Sequence, residues 1–210
     1  MAEQGSEEWH AQRLGKVTAS MIYAVMMKPE TAGYRNYLSQ LVAERLTGRP
    51  TEGFVSAAMQ HGIETEPAAR AMYEIERGVE VVETGFVDHP EIPMTGASPD
   101  GLVGDSGLVE IKCPQPTEHI RMLSGGEIQK KYRLQIQWQM ACTGRDWCHF
   151  VSFNDSFPDG LTMYLRRVEA DKDLIGEIAS AVNAFLARVD ETVERLEKVR
   201  HGSNDSQKIR

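Results

Sequence analysis

The sequence predicts an α/β domain in which a central mixed β-sheet is flanked by helices. Three observations lead there. The first half places apolar residues at helical spacing, the stretch from Val79 to Val168 shifts to β-branched runs broken by turn residues, and an amphipathic stretch closes the chain. With 210 residues, 41% hydrophobic and 26% charged, the chain can bury one ordinary core, and no repeat or Pro/Gly-rich linker divides it. The expected organisation is a single domain over 1–200 and a disordered polar tail over 201–210.

In order, Ser6-Glu7-Glu8 can open a short helix running to Gly15, and Thr18 can cap another from Ala19 to about Met27. A third helix spans about Thr31 to Leu46, with Tyr34, Tyr37, Leu38, Leu41, Val42 and Leu46 at helical spacing and Gly48 as its stop. A fourth covers about Val55 to Arg77 before Gly78, with Pro67 expected to bend it or to begin a new helix. Val79 to His89 is β-rich, Met94 to Ser98 reads as a second strand and Leu108 to Cys113 as a third, after the turn Gly104-Asp105-Ser106-Gly107. A helix over Lys130 to Thr143 follows. Strands Trp147 to Phe153 and Leu161 to Val168 flank the turn Asn154 to Gly160, and a helix over about Asp171 to Arg200 ends the domain.

Charge and cysteine content limit the function classes. The net charge is −8, from 23 basic and 31 acidic residues, which disfavours a protein that coats DNA nonspecifically but not a nuclease with a local basic channel. Three cysteines without a CxxC pair argue for a reducing compartment and against zinc or an iron–sulfur cluster. No apolar run approaches the ~20 residues of a membrane span, and the N-terminus lacks a signal-peptide pattern.

One constellation carries chemistry. On a strand over Leu108 to Cys113, Glu110 and Lys112 project to one face, about 7 Å apart at ~3.3 Å rise per residue. On a central strand such a charged pair must line a cleft or satisfy itself; on an edge strand it is an ordinary salt bridge. Asp100, between Pro99 and Gly101, would be folded back beside Glu110 by a hairpin through the Gly104–Gly107 turn. Two carboxylates with water and a phosphate suit Mg²⁺, the backbone carbonyl of Ile111 could add a hard oxygen, and Lys112 could orient or deprotonate a water. Spacing alone leaves the metal site and the structural salt bridge both open.

Ser98-Pro99-Asp100-Gly101 followed by Glu110-Ile111-Lys112-Cys113-Pro114 resembles the PD-(D/E)XK nuclease signature, and more narrowly the lambda exonuclease and YqaJ-type viral recombinase family. Trp9-His10-x-x-Arg13-Leu14-Gly15 with Val17-Thr18-Ala19-Ser20 is similar to that family's N-terminal pattern. Gly62-x-x-x-Glu66 with Ala69-Arg70 resembles its acidic helix, and Gln135-Ile136-Gln137 its Q-x-Q helix. The resemblance implies a restriction-endonuclease-like core and a processive 5′-to-3′ exonuclease on double-stranded DNA ends. Such an enzyme leaves a 3′ overhang for single-strand-annealing recombination.

The resemblance also implies roles. Glu66, Asp100, Glu110 and the Ile111 carbonyl would hold one or two Mg²⁺, with Mn²⁺ able to substitute; Lys112 would be the catalytic lysine, and Gln135 would position it or the water. Arg13, Ser20 and Ser98 would bind the 5′-phosphate, a reading that Arg13's fork and Ser20's place near a helix start also support. Met59 aligns with an apolar position that could wedge between DNA strands, beside the plainer reading of a core methionine. A homotrimeric ring, a single-strand annealing protein as partner and the cytoplasm of a bacterial host carrying a phage or prophage complete the expectation. One departure is Thr117-Glu118-His119, where lambda-like members place a phosphate-binding arginine; Arg121 is the substitute within reach. The alternatives are a restriction-type endonuclease of the same superfamily and a non-catalytic DNA-end-binding recombination protein.

Overall fold

The computed structural model describes residues 2–51 and 57–207, with the backbone alone at 58, 59 and 202–207. Helix α1 (Glu7–Arg13) is capped by Ser6, whose hydroxyl accepts the Trp9 amide. Strand β1 (Val17–Thr18) then leads into a 3-10 turn (Ala19–Met21) and a short α2 (Ile22–Val25). Thr18 therefore ends a strand rather than capping a long helix; its side chain makes no cap bond. Helix α3 (Ala32–Thr47) matches its signals, with the Thr31 hydroxyl at its start and Gly48 at φ +65° after its end.

Helix α4 (Ala57–Arg77) continues through Pro67 as one helix, followed by Gly78 at φ +63°. The β-rich stretch then divides into two minimal strands, β2 (Val81–Val82) and β3 (Val87–Asp88), which enter different sheets. β4 (Thr95–Ala97) joins β1 and β3 in a three-stranded sheet with order β1-β4-β3. The arm that actually pairs with the Glu110 strand is β5 (Gly101–Val103), a segment with no strand signal of its own. Gly101 is required there: a Cβ at this position would lie 2.1 Å from Cγ1 of Val81 on the neighbouring strand.

The larger sheet has five strands in the order β2-β5-β6-β7-β8, with β6 (Gly107–Lys112), β7 (Trp147–Phe153) and β8 (Met163–Glu169). β6 and β7 run parallel and the other pairs antiparallel, so the sheet is mixed. Its parallel crossover carries α5 (Pro116–Leu123), which has no counterpart among the expected elements, and α6 (Lys130–Thr143). The closing helix α7 (Lys172–Gln207) runs past Arg200, the end expected from its apolar periodicity.

Alternation along β6 sorts its side chains. Val109 and Ile111 pack with Ala69 and Tyr73 of α4, whereas Leu108 packs with Ile136 and Met140 of α6. Glu110 and Lys112 share the Leu108 side, so the charged pair faces α6 from a strand hydrogen-bonded on both edges. A third cluster joins α2, α3, α6 and α7 around Trp138 and Phe185, and supports α6 from behind.

Candidate active site

The β5–β6 register pairs Gly101 with Val109, which brings Asp100 opposite Glu110, and the Ile111 amide donates to Asp100 Oδ2 at 2.7 Å. In a strand the N–H and C=O of one residue point to the same side, so the Ile111 carbonyl also projects toward Asp100, away from β7. Glu110 has no exposed surface. Its carboxylate accepts three donors: Lys112 Nζ and Gln135 Nε2 on Oε1, and Gln139 Nε2 on Oε2, each at 2.6 Å.

Gln139 is the site residue that the sequence motifs do not reveal, although a signal for it exists. Residues i and i+4 share a helix face, so Gln135 and Gln139 both reach Glu110. Gln137, between them, points the other way: it donates to the Glu169 carbonyl and accepts the Asp171 amide. Oε1 of Gln139 is buried without a hydrogen-bond partner.

Glu66 faces the same end of β6 from α4. Its Oε1 accepts Arg70 Nη2 at 2.8 Å, and Arg70 also pairs with Glu83. Burial, and then the neighbouring charges of Glu110 and Glu66, push the Asp100 carboxyl well above its ordinary range, against the pull of Lys112. Burial likewise raises Glu66, opposed by Arg70 and Lys112. Burial works against the Lys112 ammonium, but Glu110 and Asp100 more than offset it, and its pKa is raised. These are carboxylates crowded into low dielectric with too little positive charge, a hard-oxygen set that suits a divalent cation. Among the described residues no three acidic, His or Cys side chains already converge on one point; Glu66 is held by Arg70 and Glu110 by its three donors.

The residues expected to hold phosphate come together. Arg13, Ser20, Ser98 and Gln135 line one small cavity of about 180 Å³, together with Gln4, Trp9 and Thr18. Trp9 organises it: its indole N–H donates to Ser98 Oγ at 2.9 Å, and the Arg13 guanidinium stacks 3.8 Å from its ring centroid. Because an indole only donates, Ser98 must accept, which leaves its hydroxyl proton for a ligand. Ser20 Oγ lies 3.2 Å from Thr18 Oγ1. It stands on a single 3-10 turn, so the helix-dipole argument for Ser20 loses its basis and the hydroxyl alone remains. The turn after α1 is clamped by α3: Glu44 accepts the Gly15 amide and Arg45 donates to the Gly15 carbonyl, each at 2.9 Å. Burial lowers the Arg13 pKa from its ordinary value.

Arg121 does not join this pocket. It forks onto Glu118 at 2.7 and 3.0 Å on α5, away from the cavity lining. His119 is fully buried and bonds Ser152 Oγ and the Leu161 carbonyl, a structural lock on α5. The side chain of Met59, the candidate wedge, lies outside the described residues. Cys113 is half-buried, with its thiol pushed up to about 12 by burial, and is therefore a poor nucleophile. A more spacious cavity of about 1160 Å³, between α6, β8 and the start of α7, is lined by none of the predicted site residues.

Known proteins share this fold. Over 94% of this chain and 99% of theirs, crystal structures of an alkaline exonuclease (LHK-Exo) from Laribacter hongkongensis superpose with a TM-score of 0.89 at 49% identity, one of them in complex with dAMP. A phage related exonuclease from Haemophilus somnus matches 86% of this chain and 96% of its own with a TM-score of 0.69; at 16% identity this is a likeness of fold. An uncharacterised protein of Acanthamoeba polyphaga mimivirus is 30% identical over 163 residues, 71% of this chain, and the chain spans 29% of that relative's length. The fold is restriction-endonuclease-like. A profile of the YqaJ-like viral recombinase domain matches residues 8–146, from α1 through α6, and the chain belongs to that family.

Proposed function

We propose that the chain is a Mg²⁺-dependent DNA exonuclease that enters a duplex end and hydrolyses one strand from its 5′ terminus, leaving a 3′ overhang for annealing-type recombination. The coarser part, a DNA exonuclease, rests on family membership and on the 49% identical alkaline exonuclease. The finer part rests on one observation: Gln135 lines the Arg13/Ser20/Ser98 pocket and at the same time donates to Glu110. An anion-binding pocket that shares a residue with the catalytic carboxylates suits a terminal phosphate held beside the bond to be cut.

Asp100, Glu110, the Ile111 carbonyl and Glu66 would hold one or two Mg²⁺, with Mn²⁺ as a substitute. When bound, such a cation polarises the scissile phosphate and acidifies its water. The chain's own groups do the rest. Gln135, Gln139 and Lys112 fix the Glu110 carboxylate, and the Lys112 ammonium orients the attacking oxygen and offsets charge that builds on the phosphate. Arg13, Ser20 and Ser98 grip the terminal phosphate and set direction. A ring of three chains around the DNA would give processivity despite the net charge of −8. A single-strand annealing protein is the fitting partner, in the cytoplasm of a bacterium carrying the encoding phage or prophage.

The test uses linear duplex labelled at either end, with Mg²⁺, bearing a 5′-phosphate or a 5′-hydroxyl. Label should leave the 5′ end first and faster from phosphorylated ends. Release first from the 3′ end refutes the polarity, and cleavage of a closed circle would favour an endonuclease.

A further inference from the structure

Beside the catalytic groups lies a second cleft of about 490 Å³, within the size range of ligand sites, opening at the C-terminal end of β6 between α4 and α6. Lys112, Ile111 and Glu66 line its inner end. Its outer walls have no part in the chemistry above: Ile63 of α4, 62% exposed, Pro114, Tyr132 and the exposed Lys131. Tyr132 is held by Phe150 beneath it, with ring centroids 5.9 Å apart. Its hydroxyl forms no hydrogen bond and Lys131 no ion pair among the described residues. The Lys131 and Lys112 ammoniums lie 4.6 and 5.5 Å from the Tyr132 ring centroid. An aromatic ring, an exposed aliphatic side chain and a lysine without an ion pair form the set that binds one nucleotide of a single strand: a surface for the base and a cation for the phosphate.

We infer that this cleft is the subsite for the nucleotide on the 3′ side of the scissile bond, with Tyr132 and Ile63 contacting its base and Lys131 its phosphate. The inference rests on the proposed 5′-end reading. Gln135 lines the phosphate pocket, Lys112 lines this cleft, and both donate to the same oxygen of Glu110. A strand whose 5′ end sits in the first and whose scissile phosphate sits at Glu110 continues into the second.

The test uses 5′-phosphorylated duplexes carrying an abasic site at the first or the second nucleotide. Wild type should lose roughly 10-fold in kcat/KM when the second base is missing, the size of one base–aromatic stack. Tyr132→Ala, and Tyr132→Leu, which keeps an apolar group on Phe150, should show that loss on intact DNA and no further loss at the abasic step. Lys131→Ala should raise KM with kcat kept and flatten the salt dependence. A wild type indifferent to the second base, or Tyr132 variants that still lose 10-fold at the abasic step, overturns the subsite. Failure of the underlying reading shows separately, as label leaving the 3′ end first.

Discussion

Gln139→Leu removes the donor that reaches Oε2 of Glu110 while keeping a side chain of similar volume at a site with no exposure. A hydrogen bond to a charged acceptor contributes ~1.5–3 kcal/mol, and Leu forfeits it. Leu also removes the buried, unpartnered Oε1 of Gln139, which in the wild type costs ~1–3 kcal/mol. The two effects oppose each other, so the unfolding free energy should move by no more than about 2 kcal/mol. Activity should not be spared. Lys112 and Gln135 both hold Oε1, so Oε2 is left unrestrained and the carboxylate can turn away from the ligand geometry. Losing such a support costs roughly 10- to 100-fold in activity or metal affinity. Urea unfolding in chelator, paired with hydrolysis of 5′-phosphorylated duplex across a Mg²⁺ titration, separates the two effects. Wild-type activity at limiting Mg²⁺, or destabilisation by several kcal/mol, would refute the reasoning.

Asp100→Asn should abolish hydrolysis yet raise the melting temperature of the metal-free protein at pH ~8. Asp100's folded pKa lies above the ordinary 3.8, so its stabilising contribution is complete below that value and lost as pH rises through the folded one. Thermal shifts with and without Mg²⁺ check this; the variant should also respond less to Mg²⁺, and a lower metal-free melting temperature counts against it. Arg13→Ala should erase the preference for phosphorylated over hydroxyl 5′ ends, a loss of roughly 10-fold or more for one charge-assisted contact; the ratio of initial rates on the two ends reports it. His149, buried against Tyr73, is lowered from 6.5 to about 4, first by burial and then by Arg77 and Arg167. The stability its neutral form contributes is complete above pH ~6.5 and is lost as pH falls from there through about 4. Urea titrations across that window should show the slope in wild type and its absence in His149→Gln.

Long periodic segments and their caps are legible in the sequence. Thr31 and Gly48 bracket α3, and Gly78 follows the end of α4, because cap chemistry is local. α5 and β5 are not legible, because eight and three residues hold too little periodicity to stand above noise. Pro67 neither bends α4 into two helices nor starts a new one. One lost backbone donor within 21 helical residues is offset by the packing of Ala69 and Tyr73.

At the site, the groups able to do chemistry are legible in the chain alone: Asp100, then Glu110 and Lys112 on one face of a strand, and Gln135 on the helix that follows. Period-two and period-3.6 geometry follow from the backbone and need no tertiary information. That β6 is an interior strand, so that its charged pair must face a cleft, emerges from the folded sheet. The tertiary structure also shows that Gln139 reaches Glu110, that Arg70 holds Glu66, and that Trp9 ties Arg13 to Ser98 across the fold. These pairings join residues far apart in the chain, and what selects them is the burial of charge. A carboxylate with no exposed surface must find its donors wherever packing places them.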